Sequence, residues 1–161
     1  MQILLTKMPS LHGVRQLQRF QAALESALPA TGLDAAEPGR INLVLVTLPR
    51  IIRLNALHLH HSGATDVITY DLRGGFALPD ETGEPVLAEI YICPAVARQQ
   101  APAFRQTPSR ELFRYAVHGL LHLAGEDDLT PEQLASMRTA EERVLQVAEA
   151  HYSLEGFLSS F

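Results

Sequence analysis

The chain has 161 residues, of which 47% are hydrophobic, enough for one compact domain with a substantial core. Its formal net charge of −5 argues against a protein that coats nucleic acid by bulk electrostatic attraction, because phosphate binding depends on lysine and arginine. The lone cysteine, Cys93, excludes an intramolecular disulfide and leaves histidines and carboxylates as candidate metal ligands. The start of the chain lacks a signal-peptide pattern and no apolar run reaches membrane-spanning length, which predicts a soluble, cytoplasmic protein without a membrane partner.

Short predicted strands alternate with helices along the chain. The first half predicts a strand over residues 2–6, a helix over 11–28 capped by Ser10, a strand over 41–47 buried on both faces, and a helix from Pro49 to about residue 59. The second half predicts strands over 66–71 and 86–92, a short helix after Pro94, a helix opened by Thr107 and Pro108, and a last helix from the Thr130 capping box to about residue 149. Together they predict a single domain over residues 1–161.

The most informative segment contains two histidines. His118 and His122 are one helical turn apart, so both imidazoles project from one helix face and can bind one ion. Gly125 tolerates positive φ, which ends the helix and lets one of the carboxylates at 126–128 return as a third ligand. The spacing favours Asp128. Three protein ligands leave a fourth position for water, the arrangement of a catalytic zinc site.

Gly119 stands where common zinc metalloproteases carry the glutamate that serves as general base. Without that base, peptide or amide hydrolysis is the weakest interpretation of the motif. A glycine inside a helix costs about 1 kcal/mol relative to alanine. Its presence therefore predicts either close packing against another element or open space above the metal.

The same segment resembles the metal-binding motif of the YbeY family of bacterial rRNA maturation endoribonucleases, which is close to H-G-x-L-H-L-x-G-x-D-H. The matching positions are His118-Gly119-Leu120-Leu121-His122-Leu123, Gly125 and Asp127. Further matches are Leu54-Asn55, Thr65-Asp66-Val67, the strand Glu89-Ile90-Tyr91-Ile92, and Met137 with Glu141. The likeness covers about residues 3–147, and the motif is specific enough to make chance a poor explanation.

The resemblance implies an α+β domain with a small mixed four-stranded sheet, about five helices, and a metal site on a helix of the C-terminal half and its following loop. It also implies one zinc ion, held here by His118, His122 and Asp128, which are therefore the candidate catalytic residues. The implied activity is cleavage of single-stranded RNA in maturation of the 16S rRNA 3′ end and in ribosome quality control. The implied partners are ribosomal RNA, the small ribosomal subunit and its associated factors.

Two of the departures from the family pattern concern the chemistry of the site. The third ligand of the family is usually histidine, and Asp128 in its place keeps a competent zinc ligand but lowers the positive charge of the site, which predicts a weaker Lewis acid. The family also carries an arginine that is thought to assist the chemistry, and this sequence has Leu59 at the corresponding position. His60, one position away, is a candidate substitute when protonated, although His58, His60 and His61 also fit solvent-exposed histidines at a helix end.

Three functions are compatible with these residues. The leading one is the metal-dependent endoribonuclease, in which Asp127 braces the loop or a ligand histidine. The second is a ribosome-associated metal-binding assembly factor with little nuclease activity, suggested by the missing arginine and the acidic charge. The third and weakest is a metal-dependent hydrolase of another substrate. Zinc is the first choice of metal, and histidine and aspartate also suit Mn, Co, Ni or Fe.

Overall fold

The computed structural model describes residues 1–58, 65–74 and 83–159, and these contain four strands and five α-helices. The strands are β1 (Gln2–Lys7), β2 (Arg40–Leu45), β3 (Val67–Asp71) and β4 (Val86–Ile92). The α-helices are α1 (Leu17–Ala27), α2 (Leu48–His58), α3 (Pro94–Gln100), α4 (Pro108–Leu123) and α5 (Pro131–Glu149), and short 3₁₀ helices cover Leu28–Thr31 and Ala101–Phe104. The elements appear in the predicted order, and most of their boundaries lie within one or two residues of the predicted ones.

The four strands form one mixed sheet in the order β1-β2-β4-β3. β1, β2 and β4 are parallel to one another, and β3 pairs antiparallel with β4 at one edge of this sheet. Parallel neighbours need a crossover connection, which the segment containing α1 provides between β1 and β2. The expected single α+β domain with a small mixed four-stranded sheet and about five helices is confirmed.

The core lies on one face of the sheet, where α1 packs against β1 and α4 packs against β3 and β4. On β2, Ile41, Leu43 and Leu45 are buried, whereas the intervening Asn42 and Val44 are only half-buried. The prediction that this strand is buried on both faces is therefore wrong. Alternate side chains point to opposite faces, and the helices α1 and α4 cover the face that carries the buried set.

The start of α1 also differs from the prediction. The helix begins at Leu17 rather than residue 11, and Gln16 before it is left-handed, with φ of 59°. Ser10 does not cap the helix. Val14 forms a β-bridge with Leu158 near the end of the chain, so the backbone that the local pattern assigned to helix is paired with the C-terminal tail instead.

The C-terminal tail, residues 151–159, is anchored in the core. Leu154 and Phe157 are 2% and 0% exposed, and the Phe157 ring lies 4.6 Å from that of Phe20, centroid to centroid. The backbone N–H groups of Phe157 and Leu158 donate to Ser109 Oγ over 3.1 and 3.0 Å. The tail thus ties the first turn of α4, and with it the histidine helix, to the rest of the domain.

The predicted caps of α4 and α5 are confirmed, unlike that of α1. Thr107 Oγ1 accepts from the backbone N–H of Arg110 at the start of α4. Thr130 and Gln133 form the reciprocal capping box at the start of α5.

Cys93 is fully buried, as expected for a small apolar side chain. No helix in the described parts of the chain is long and apolar enough to cross a bilayer.

Candidate metal centre

The end of α4 positions the third candidate ligand. Gly125, with φ of 101°, donates its N–H to the carbonyl of His122, and the N–H of Glu126 donates to the carbonyl of Leu121. These two bonds are those of a Schellman motif, which closes a helix through a left-handed residue and is favoured by glycine. The chain then reverses and brings Asp128 back over the histidine face of the helix.

Three ligand atoms converge at this point. His118 Nε2 lies 2.9 Å from His122 Nε2 and 3.4 Å from Asp128 Oδ2, and His122 Nε2 lies 3.7 Å from Asp128 Oδ1. Donors that bind a tetrahedral zinc ion at 2.0–2.1 Å are about 3.3 Å apart, so these separations fit one shared ion. Two imidazoles and one carboxylate are also the ligand types that zinc accepts. The residues therefore fit a metal centre.

A buried carboxylate stands behind His118. Glu141 on α5 is 3% exposed, and its Oε2 lies 3.8 Å from His118 Nδ1 with no hydrogen-bond partner among the described residues. Burial lowers the pKa of His118, but the surrounding carboxylates, led by Glu141, outweigh it and raise that pKa above its ordinary value. Ligand histidines commonly donate their second N–H to such a carboxylate, which fixes the tautomer and the ring orientation. Glu141 is placed to leave Nε2 of His118 for the ion.

Gly119 is required by packing. A Cβ at this position would lie 2.8 Å from Ile90 Cγ2 on β4 and 3.2 Å from Thr69 Oγ1 on β3. Of the two explanations left open by the sequence, close packing is the correct one. The same contact explains the missing protease base, because this position of α4 faces the sheet and has no room for a glutamate side chain.

A polar cavity of about 150 Å³ opens beside His118 and continues into the space between α4 and α5. Besides Glu141, two of its charged side chains are almost completely buried, Glu111 at 2% and Arg114 at 7% exposure. Arg114 Nη2 lies 2.9 Å from Glu142 Oε2, and its Nε lies 3.7 Å from Glu111 Oε2. Burial raises the pKa of Glu111. Arg114 therefore partly compensates the carboxylates around the site.

A second, more open groove of about 410 Å³ follows residues 65–69 along the edge strand β3. His118, His122 and Asp128 all line it, so the candidate metal centre faces this groove. Asp66 lines both spaces, and its Oδ1 accepts from the backbone N–H of Val67 at 2.8 Å. The edge of β3 and the three candidate ligands therefore line one groove.

The structure brings together His118, His122 and Asp128, the three residues predicted to hold the metal. Asp127 is exposed and makes no side-chain hydrogen bond within the described ranges, so its expected bracing role gains no support. The predicted substitute cation His60, with Leu59 and His61, lies outside the described residues. His58 is the last residue of α2.

The local sequence pattern did not assign a functional role to two acidic residues near the site, Glu141 and Asp66. Glu141 was only a match to the family pattern, and Asp66 belonged to a matched tripeptide. Glu141 did carry a local signal, because it occupies a core position of α5, between the buried Met137 and Val144. A glutamate where the helical period calls for an apolar side chain indicates a buried partner. Which partner it meets depends on how α4 and α5 pack.

Replacing Glu141 with glutamine is expected to weaken zinc affinity about 10- to 100-fold, because loss of such a carboxylate loosens the ligand histidine. Competition with a chromophoric chelator measures this directly. The matched control is Glu142→Gln, the same change one residue along α5, where the carboxylate pairs with Arg110 and Arg114 instead. Equal affinities for wild type and Glu141→Gln would show that Glu141 does not position His118.

Fold and site together define a small α+β protein with a candidate His-His-Asp metal centre on a helix and the turn that follows it. The family model described as endoribonuclease YbeY matches residues 8–149. The chain belongs to this family.

Curated relatives and a solved structure agree with this assignment. The chain is 35% identical to an endoribonuclease YbeY of Elusimicrobium minutum, over 87% of this chain and 92% of the relative. It is 34% identical to that of Heliobacterium modesticaldum, over 88% and 87% of the two chains. A solution structure of a Thermotoga maritima protein superposes with a TM-score of 0.55 at 26% identity, covering 92% of each chain.

Proposed function

We propose that this protein is a zinc-dependent endoribonuclease that cleaves single-stranded RNA in maturation of the 16S rRNA 3′ end and in ribosome quality control. The class of activity, hydrolysis of RNA phosphodiester bonds, follows from the family to which the chain belongs. The zinc ion, the preference for single strands, the cytoplasmic location and the association with the small ribosomal subunit and its factors are parts of the proposal.

The convergence of His118, His122 and Asp128 on one point beside an open groove carries the proposal. A zinc ion held there supplies a Lewis acid for hydrolysis. Glu141 orients the His118 ring, and the Schellman turn at Gly125 sets the distance of Asp128 from the histidines. The groove along residues 65–69 offers an extended polynucleotide a path across the ligands without demanding a duplex.

A second function is favoured by the charge around the site. Asp66, Glu111 and Glu141 line the cavity beside His118, and such a surrounding repels phosphate. This supports a ribosome-associated assembly factor that uses the metal structurally and has little nuclease activity. Peptide hydrolysis is disfavoured, because Gly119 is packed against Ile90 and leaves no place for the usual base.

Metal removal tests the proposal. Purified protein is expected to contain one zinc per chain by elemental analysis and to cleave a single-stranded precursor of the 16S rRNA 3′ end. Chelation should abolish cleavage, zinc should restore it, and the same sequence in a duplex should resist. Bound zinc without cleavage would favour the assembly factor. Cleavage that persists in the metal-free protein would contradict the proposed role of the ion.

A further inference from the structure

An exposed aromatic ring and an arginine lie together at the mouth of the cavity beside the metal centre. Phe104, at the end of the 3₁₀ helix Ala101–Phe104, is 46% exposed, although phenylalanine is among the residues most often buried. The guanidinium carbon of Arg138 on α5 lies 4.8 Å from the centre of this ring. Both side chains line the same cavity as His118 and Asp128.

The charge of Arg138 is available to a ligand. The other arginine of the cavity, Arg114, is almost buried and committed to Glu142 at 2.9 Å. Arg138 is exposed and forms no ion pair within the described parts of the chain; its close neighbour is the Phe104 ring. It is therefore an exposed cation without a close ion-pair partner among the described residues, although its charge also acts on the buried Glu111. It lines a cavity whose inner wall is largely acidic, where an approaching phosphate chain needs a cation.

We infer that Phe104 and Arg138 form a stacking platform for one unpaired base of the RNA, in a nucleotide adjacent to the phosphodiester bond at the metal centre. This inference rests on the proposed function. Aromatic rings and guanidinium planes are the surfaces on which proteins stack the splayed bases of single-stranded RNA, with little dependence on sequence. Arg138 holds one side of the ring by a cation–π contact, which orients the platform before RNA arrives.

The platform gives a physical reason for a preference for single strands. A base in a duplex is already stacked on both faces and cannot lie on Phe104 without being unpaired. Leu134 on α5, 43% exposed, lines the same cavity and adds apolar surface to it. His118 and Asp128 line both the cavity that contains the platform and the groove along β3, so one strand bound at the centre can reach both.

Binding of a short, end-labelled single-stranded RNA to the full chain in chelator, where cleavage is blocked, tests the platform by fluorescence anisotropy. Phe104→Ala and Phe104→Leu are expected to weaken binding roughly 5- to 150-fold, the range for loss of one stacked base. Phe104→Tyr should bind like wild type, since it keeps the ring. Val147→Ala is the control. Val147 is an exposed apolar side chain on α5, and its truncation should not change the affinity for RNA.

Arg138→Ala is expected to weaken binding and to reduce the magnitude of the slope of log affinity against log salt by about 0.7, the value for one phosphate contact on a single strand. RNAs with 2-aminopurine at successive positions should show one position whose fluorescence is quenched by wild type and not by Phe104→Leu. If wild type binds and cleaves RNA while Phe104→Ala and Phe104→Leu bind equally well, the platform is wrong and the endoribonuclease proposal stands. If wild type neither binds nor cleaves single-stranded RNA, the proposed function fails and the platform with it.

Discussion

His122→Ala is expected to abolish both zinc binding and RNA cleavage without unfolding the protein. The imidazole offers one of the three candidate ligand atoms, 2.9 Å from His118 Nε2 and 3.7 Å from Asp128 Oδ1, and the two that remain would hold zinc poorly. The side chain is 27% exposed and lies at the surface end of α4, so its removal leaves no cavity in the core. Alanine is also the better helix former, so α4 should remain intact.

Elemental analysis, a thermal melt and an RNA cleavage assay on the same preparation measure the three effects. His151→Ala is the matched control, because this exposed histidine follows α5 and lies outside the site. It should keep full metal content and full activity. A His122→Ala protein that retains one zinc per chain and cleaves RNA at the wild-type rate would remove this residue from the centre and undermine the proposed mechanism.

Phe157→Ala is expected to destabilise the fold by about 3–5 kcal/mol, the range for truncating a buried aromatic side chain. Phe157 is completely buried and packs against Phe20 and Phe113, with ring centroids 4.6 and 6.3 Å away. Arg19 covers the ring at 4.6 Å, and the Phe157 N–H donates to Ser109 Oγ. Truncation therefore leaves a cavity and also loosens the attachment of the tail to α4.

Chemical denaturation monitored by circular dichroism gives the change in unfolding free energy. Phe104→Ala is the matched control, since this half-exposed ring loses little more than its cation–π contact with Arg138, about 0.5–1 kcal/mol. The loss of unfolding free energy for Phe157→Leu should lie between the losses for Phe157→Ala and Phe104→Ala. If Phe157→Ala costs no more than Phe104→Ala, the tail is not part of the cooperative core.

Features of the fold that depend on neighbouring residues were predictable. Thr107 with Pro108 and Thr130 with Gln133 begin α4 and α5 as expected, because capping is a contact within one turn of chain. The same holds for the convergence of the three candidate metal ligands. The four-residue spacing of His118 and His122 is a property of one helix, and the return of Asp128 needs only the turn at Gly125.

Features that join distant parts of the chain were missed or left open. The pattern of residues 11–16 favours helix, but pairing of Val14 with Leu158 gives that backbone a different partner. Gly119 was open to two explanations until Ile90 and Thr69 were found against it. The half-exposed face of β2 depends on where the helices pack, which its run of apolar residues does not reveal.

By itself, therefore, the sequence determined the ligands of the candidate centre, since two histidines and a carboxylate within eleven positions are brought together by a helix and one turn. Only the tertiary structure decided what surrounds them. Glu141 reaches His118 from another helix, and Arg138 and Phe104 meet at the cavity although 34 positions separate them in the chain. Such contacts arise from the packing of α4, α5 and the sheet into one core, a property of the whole chain that no local pattern encodes.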